Sequence, residues 1–322
     1  MATKRNNNLK EEASAFDAQI LERVRHGHIP DLRRAGRCEY FYNNVWRDQR
    51  MASLYFGELV ERVAGAIKKY YTPDKNKKIR ILEVGCGPGH VSLELSRNGF
   101  NVTGIDLSSA CIEIARKTAD DDPWKNKRTG LTYIQENFLD HEGKYDVVLF
   151  TASLHHFRDT DKIVRRANKI LVSGGLIIAD EPTRDRVSRR NASVILMIKG
   201  ILSAAGAYFR DFALPQTAKE LDVQIDKIIQ EEKYQTEDGT KIQSINDNES
   251  GYKEMLSSLI THFQQLELKE DYAIFHQLVG GIRLDRPEKE IALAKFLKLI
   301  DVNLCRNNAI DPINFYFVGK KK

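Results

Sequence analysis

The chain has 322 residues, 42% hydrophobic and 30% charged, with a net charge of +5. That composition excludes a disordered or fibrous protein, and no apolar run of about 18 residues is free of charge, so no membrane span is expected. Four scattered cysteines, Cys38, Cys86, Cys111 and Cys305, lack metal-type spacing and suit a reducing, cytoplasmic setting.

Residues 1–11 are polar, carry no apolar signal segment and read as a loose end. From Ala13, the positions Phe16, Ile20, Leu21 and Val24 share one helical face. The break His26-Gly27-His28-Ile29-Pro30 holds two histidines; without a nearby carboxylate or thiol they read as surface rather than metal ligands. An aromatic group follows, Tyr40, Phe41, Tyr42 and Trp46. It reads either as an apolar clasp for an N-terminal arm or as a cap over a site. A helix is expected from about Arg50 to Tyr70, and Lys75 to Lys78 is a charged approach to the first strand.

Residues 80–181 alternate strand and helix, the pattern of a doubly wound, mostly parallel sheet. The run Ile81-Leu82-x-Val84 leads into Gly85-Cys86-Gly87-Pro88-Gly89. Strand, glycine turn and helix start make a nucleotide-type site, with backbone N–H groups facing the ligand. The spacing is neither G-x-G-x-x-G nor a phosphate loop ending in Gly-Lys-Ser/Thr. A second strand, Asn101 to Ile105, ends in Asp106, where a carboxylate can accept ribose hydroxyls. A helix starts at Ser108, and Asp120-Asp121-Asp122-Pro123 reads as a solvated end rather than a metal site. The third strand, Leu131 to Ile134, leads to Asn137 and Phe138. The fourth, Asp146 to Phe150, runs into Thr151-Ala152-Ser153-Leu154-His155-His156. The fifth, Leu176 to Ala179, ends at Asp180-Glu181-Pro182.

The set Glu83, Gly85-x-Gly87-x-Gly89 and Asp106 resembles the first motif and following acidic position of class I S-adenosylmethionine-dependent methyltransferases. The Leu-His-His segment is similar to that of the small-molecule members acting in ubiquinone and menaquinone biosynthesis. The resemblance covers about residues 80–181 and the C-terminal strand. It implies a seven-stranded Rossmann-like α/β sheet with an antiparallel last strand. It implies S-adenosylmethionine as cofactor, held by Glu83, Gly85, Cys86, Gly87, Gly89, Asp106, Leu107, Asn137, Phe138 and Thr151. The adenine turn departs from the family, with Asn137 where aspartate is usual; the asparagine carbonyl still accepts from the adenine amino group. Phe138 is expected beside the ring.

In open α/β sheets chemistry sits at the carboxyl ends of the strands. His155, His156, Asp180 and Glu181 are therefore the candidate bases, histidine being the natural choice near neutral pH. The two carboxylates have Arg184 and Arg186 as alternative salt-bridge partners. Tyr40, Tyr42 and Trp46 are candidate cap residues.

The expected organisation is an N-terminal helical cap over 1–75, a cofactor core over 76–182, a helical lid over 183–265, and C-terminal strands with a helical insert over 266–322. Within the lid, Ala192 to Phe209 reads as a buried or lid helix, Gln216 to Glu232 as an amphipathic helix, Glu237-Asp238-Gly239 as a hairpin turn, and Tyr252 to Leu266 as a further helix. Leu268–Phe275 and Ile313–Val318 read as the final strands, with a helix over Glu288–Leu299 between them.

The expected reaction is methyl transfer to a small hydrophobic or aromatic acceptor, such as a natural-product, quinone or lipid intermediate. No metal is expected, and nucleic acid is an unlikely partner. The alternatives are an RNA methyltransferase, favoured by Lys320-Lys321-Lys322, and a non-catalytic S-adenosylmethionine-binding protein. The acceptor atom and oligomeric state are not legible.

Overall fold

A computed structural model describes residues 2–73, 77–125, 129–236 and 238–322, with side chains described from Asn8 onward. Lys75 and Glu237 lie outside the described residues.

Seven strands form one sheet: β1 (Arg80–Val84), β2 (Asn101–Asp106), β3 (Leu131–Gln135), β4 (Tyr145–Thr151), β5 (Leu171–Pro182), β6 (Phe263–Asp271) and β7 (Asn314–Lys321). Their order is β3-β2-β1-β4-β5-β7-β6. The first five pair in parallel. β7 runs antiparallel between β5 and β6. The order reverses between β1 and β4, which places the site at their carboxyl ends. This is the doubly wound, mostly parallel Rossmann-like sheet that the sequence implies.

β1 and β4 are buried on both faces, as a central parallel sheet requires. One face packs on α3 (Glu58–Tyr70) and α4 (His90–Arg97) through Leu59, Val63, Ile67, Val91 and Leu95. The other packs on α6 (Thr160–Ile170) and α9 (Tyr252–His262) through Ile163, Val164, Met255 and Leu259. α5 (Ser109–Asp120) covers the β2–β3 end through Ile112 and Ala115.

A second apolar core lies beyond the strand tips. It gathers Phe41, Trp46 and Met51 of the arm, Ile195 and Leu202 of α7 (Arg189–Ala204), Ile225 and Ile228 of α8 (Ala218–Glu232), Phe275 and Leu278 of α10 (Phe275–Val279), and Leu297 of α11 (Pro287–Arg306). Arg47, fully buried, ties the arm to this body by donating to the carbonyls of Gly280 and Ile282, both at 3.0 Å.

Several boundaries differ from the sequence reading. The N-terminus is not a loose end: α1 runs Ala2–Arg25, a stretch without glycine or proline to interrupt it. The helix expected over Arg50–Tyr70 is α2 (Gln49–Ala52), a π-helical turn (Ser53–Gly57) and then α3. Such a turn inserts a residue and re-aims side chains. Here Phe56 meets His90, and Tyr55 meets His276. The helix from Tyr252 stops at His262, because Phe263 already pairs with Lys321. β6 ends at Asp271, and Phe275 starts α10. α7 ends at Ala204. Asp122 is not solvated: it is buried and paired with Arg97 at 2.7 Å.

Candidate active site

The glycine turn is built by local necessity. Gly85 sits at φ +70°, and a Cβ there would lie 2.6 Å from that of Ser153. Gly89, at φ +82°, backs onto Tyr133, whose hydroxyl donates to the Gly89 carbonyl at 2.7 Å. Only glycine fits a left-handed backbone pressed this closely. Gly87 differs: a Cβ there would meet nothing within 4 Å, so its face of the turn is open.

Asp106 closes the turn from β2. Its carboxylate accepts the Gly87 N–H and the Ser108 N–H, each at 2.8 Å. Burial raises its pKa, against those two N–H bonds. A carboxylate has about four lone-pair directions, so Asp106 keeps acceptor capacity for a ligand. Leu107, half-buried beside it, accepts through its carbonyl from Gln135. Cys86 is buried under the turn, and its N–H donates to the Ile105 carbonyl at 3.0 Å.

Glu83 lies behind the turn, 1% exposed. It accepts from Ser92 of α4 and from Thr151 of β4, the latter at 2.7 Å. Burial pushes its carboxyl up to about 7, with those two hydroxyls opposing the shift. Its place is structural support for three converging elements. Asn137 caps its own turn, accepting the Leu139 N–H at 3.1 Å. Phe138 is buried in the sheet core, edge-on to Phe150.

The two carboxylates at the end of β5 separate, because successive strand residues face opposite sides. Glu181 faces the turn after β4. It accepts the N–H groups of Ser153 and Leu154 at 2.9 and 2.8 Å, and it bonds His155 Nδ1 at 2.8 Å. It makes no bond to Arg184 or Arg186, whose partners are the Glu232 carbonyl and Glu270. Asp180 faces α3 instead and accepts from Asn314 at 3.0 Å. Burial pushes its carboxyl up to about 7, opposed by Arg62 and Asn314. The Tyr55 hydroxyl feels the Asp180 charge and lies 3.2 Å from His276 Nε2.

His155 and His156 stay together, with ring centroids 4.3 Å apart. Burial alone would favour a neutral His155, but Asp247 and Glu181 outweigh it and raise its pKa. His156 bonds Glu12 at 2.9 Å; burial and the neighbouring His155 lower its pKa. Glu12 and Asp247 carry no local sequence pattern and were not legible as partners.

The arm closes over this rim. Asp17 of α1 accepts from Ser108 Oγ at 2.5 Å and from the Ala110 N–H at 2.9 Å, at the start of α5. Of the cap candidates, Trp46 is buried and meets His90 at 5.1 Å, one residue beyond the glycine turn. Tyr40 stacks on His26 and Tyr42 meets Phe209, both exposed on the outer side of the arm. His28 is buried against Phe41 and Trp46, and burial drops its pKa to about 3. Of the two histidines expected at the surface, only His26 is exposed.

A parallel sheet with an open glycine turn and a strand-tip carboxylate defines a nucleoside-binding α/β protein. Residues 53–226 match the family model described as a methyltransferase domain, and the chain belongs to that family. It is 27% identical over 172 residues to a ubiquinone biosynthesis O-methyltransferase of Cronobacter sakazakii, covering 50% of this chain and 65% of that protein. The same-named protein of Hydrogenovibrio crunogenus is 34% identical over 42% of this chain and 54% of its own. The chain thus spans less than two thirds of these curated relatives. Two solved structures share the fold. A cyclopropane synthase of Mycobacterium tuberculosis has a TM-score of 0.50 and 14% identity, covering 91% of this chain and 96% of its own. The magnesium protoporphyrin IX methyltransferase of Synechocystis PCC 6803, solved with bound SAH, has a TM-score of 0.50 and 11% identity, covering 98% and 100%. Among the described residues, no helix is long and apolar enough to cross a membrane.

Proposed function

We propose that the chain transfers a methyl group from S-adenosylmethionine to a small, hydrophobic or aromatic acceptor. The observation that carries this reading is the open Gly87 face beside Asp106, joined by the Gly87 N–H bond. That pairing fits a nucleoside: Asp106 accepts the ribose hydroxyls while the turn lets the ligand approach the backbone. The bound cofactor supplies an electrophilic methyl on sulfonium. The chain's part is to hold the acceptor in line with it, and positioning of this kind removes much of the barrier.

Of the four candidate bases, Asp180 is the best placed. Glu181 is consumed by donors from Ser153, Leu154 and His155, and both histidines are enclosed by carboxylates. Asp180 faces the side that carries Tyr55, Arg62 and His276, and a carboxyl titrating at about 7 is matched to proton removal near neutrality. The helical body over 183–265, with the arm over 1–75 and the insert before β7, is the proposed acceptor-selecting lid. Its aromatic inner residues support an apolar acceptor. A cytoplasmic setting accords with four cysteines that form no disulfide.

The test is transfer of labelled methyl from S-adenosylmethionine into fractionated cell extract, run beside Asp106→Ala. Label in organic-extractable small molecules, lost in the variant, is the expected result. Label in nuclease-sensitive polymer would replace this reading with an RNA enzyme, and cofactor binding without any label would replace it with a binding protein.

A further inference from the structure

Three segments far apart in the chain converge beside the tip of β4. The turn after β4 brings His155 and His156, α1 brings Glu12, and the loop before α9 brings Ser244, Asn246 and Asp247. One ligand atom from each of His155, His156 and Asp247 lies within 4.8 Å of the other two. Asp247 is 0% exposed, yet neither of its carboxylate oxygens has a hydrogen-bond partner among the described residues. The nearest donor, His155 Nε2, stands 3.6 Å from Oδ1, beyond hydrogen-bond length. Asp247 thus has the His155 ring as an ion-pair partner but no hydrogen bond, and a buried carboxylate with unmet acceptor capacity is costly.

The histidines are prepared in a particular way. His155 Nδ1 is held by Glu181 at 2.8 Å. His156 Nδ1 is held by Glu12 at 2.9 Å, and Glu12 is itself fixed by Ser244 Oγ at 2.9 Å and the Asn246 N–H at 3.0 Å. In the neutral ring, a carboxylate on one nitrogen fixes the tautomer and leaves the other nitrogen as a lone-pair donor; metal-ligating histidines are oriented this way, and metal binding displaces the second proton. Two ligands each about 2.1 Å from a tetrahedral ion stand roughly 3.4 Å apart, close to the His155–Asp247 separation. Three carboxylates surround two histidines, so the cluster attracts cations. Arg184 acts on Asp247 only at a distance, and the Phe16 ring closes one side of His156.

We propose that His155, His156 and Asp247 bind a divalent transition-metal ion of the zinc type, with Glu181 and Glu12 as the outer carboxylates that orient the two rings. Two imidazoles and one carboxylate suit zinc, and three protein ligands leave a coordination position open. The ion joins the arm and the lid to the sheet. The sequence reading expected no metal: neither Asp247 nor Glu12 lies near the histidines in sequence, and Asp247 lies outside the family-model match. The site does not rest on the methyl-transfer reading.

The test uses the full, untagged chain, stripped with chelator and titrated with Zn²⁺ by calorimetry and with Co²⁺ by visible absorption. One ion per chain is expected, with a cobalt d–d band of nitrogen–oxygen type. Asp247→Asn is expected to abolish saturable binding, and Glu12→Gln to weaken it about 10–100-fold. No saturable binding by the stripped wild-type chain would overturn the proposal. So would a thiolate-to-cobalt charge-transfer band, which would place the ion on a cysteine, or unchanged affinity in a folded Asp247→Asn. Cofactor binding, followed separately, reports on the methyl-transfer reading.

Discussion

Glu181 was a candidate base, and its surroundings make it a support instead. Its carboxylate, 0% exposed, accepts two backbone N–H groups at 2.9 and 2.8 Å and bonds the His155 ring at 2.8 Å. Replacement by alanine leaves two buried N–H groups and a buried histidine without their acceptor. Hydrogen bonds to a charged group contribute about 1.5–3 kcal/mol each, but they do not add fully. Removing one partner of a buried ion pair costs about 3–5 kcal/mol, and that range is expected here. At about 2 °C per kcal/mol for a chain of this size, Glu181→Ala should melt roughly 6–10 °C below wild type, followed by circular dichroism. Glu181→Gln keeps a carbonyl for the Ser153 and Leu154 N–H groups but puts an amide donor in place of the oxygen facing His155, so a smaller loss than in the alanine variant, about 1–2 kcal/mol, is expected. An alanine variant melting within about 2 °C of wild type would refute the reasoning. A loss as large in Gln as in Ala would show that the His155 contact, not the two backbone N–H bonds, holds the turn.

Three further outcomes are expected. The Asp180 carboxyl is pushed up to about 7, mainly by burial, so the ionised base accumulates only as pH rises through that value. Methyl-transfer rate should climb through about pH 7, and Asp180→Asn should remove that limb and lower kcat by roughly 10²–10⁴. A raised folded pKa stabilises fully below the ordinary carboxyl range and loses that contribution as pH rises through about 7. Wild type should therefore lose stability relative to Asp180→Asn across that window in denaturant titrations at stepped pH. Gly89→Ala forces a left-handed alanine against the Tyr133 ring at 2.6 Å. The backbone alone costs about 1–2 kcal/mol, and the urea midpoint should fall accordingly.

The sheet was legible because its signals are local. Apolar runs ending in glycine or aspartate mark β1, β2 and β5, and Gly85, Gly87, Gly89 and Asp106 fall where the turn requires them. The period of two also held an unread message: Asp180 and Glu181, as neighbours on a strand, were bound to face opposite sides. The partners of His155 and His156 were not legible. Glu12 and Asp247 reach them only because α1 folds over the rim and the loop before α9 returns to it, and no spacing encodes that. Trp46 could not be told from Tyr40 and Tyr42 by composition, since only the turn of the arm decides which ring faces inward. The π-helical turn was hidden because Ser53–Gly57 fits a plain helix pattern equally well.

The placement of β7 has a consequence for how the molecule is made. β5 ends at Pro182, but its neighbour on the outer side begins only at Asn314. During synthesis the amino-terminal part of the sheet can assemble while β5 still presents a bare edge carrying Leu176, Ile178 and Ala179. β6 cannot cover that edge, because β7 must slot between them. Unpaired apolar edges invite association with other chains, and nascent proteins are exposed to it until the missing strand emerges. The bare β5 edge thus persists until residue 321 has been made, and slow translation between β5 and β7 lengthens that exposure.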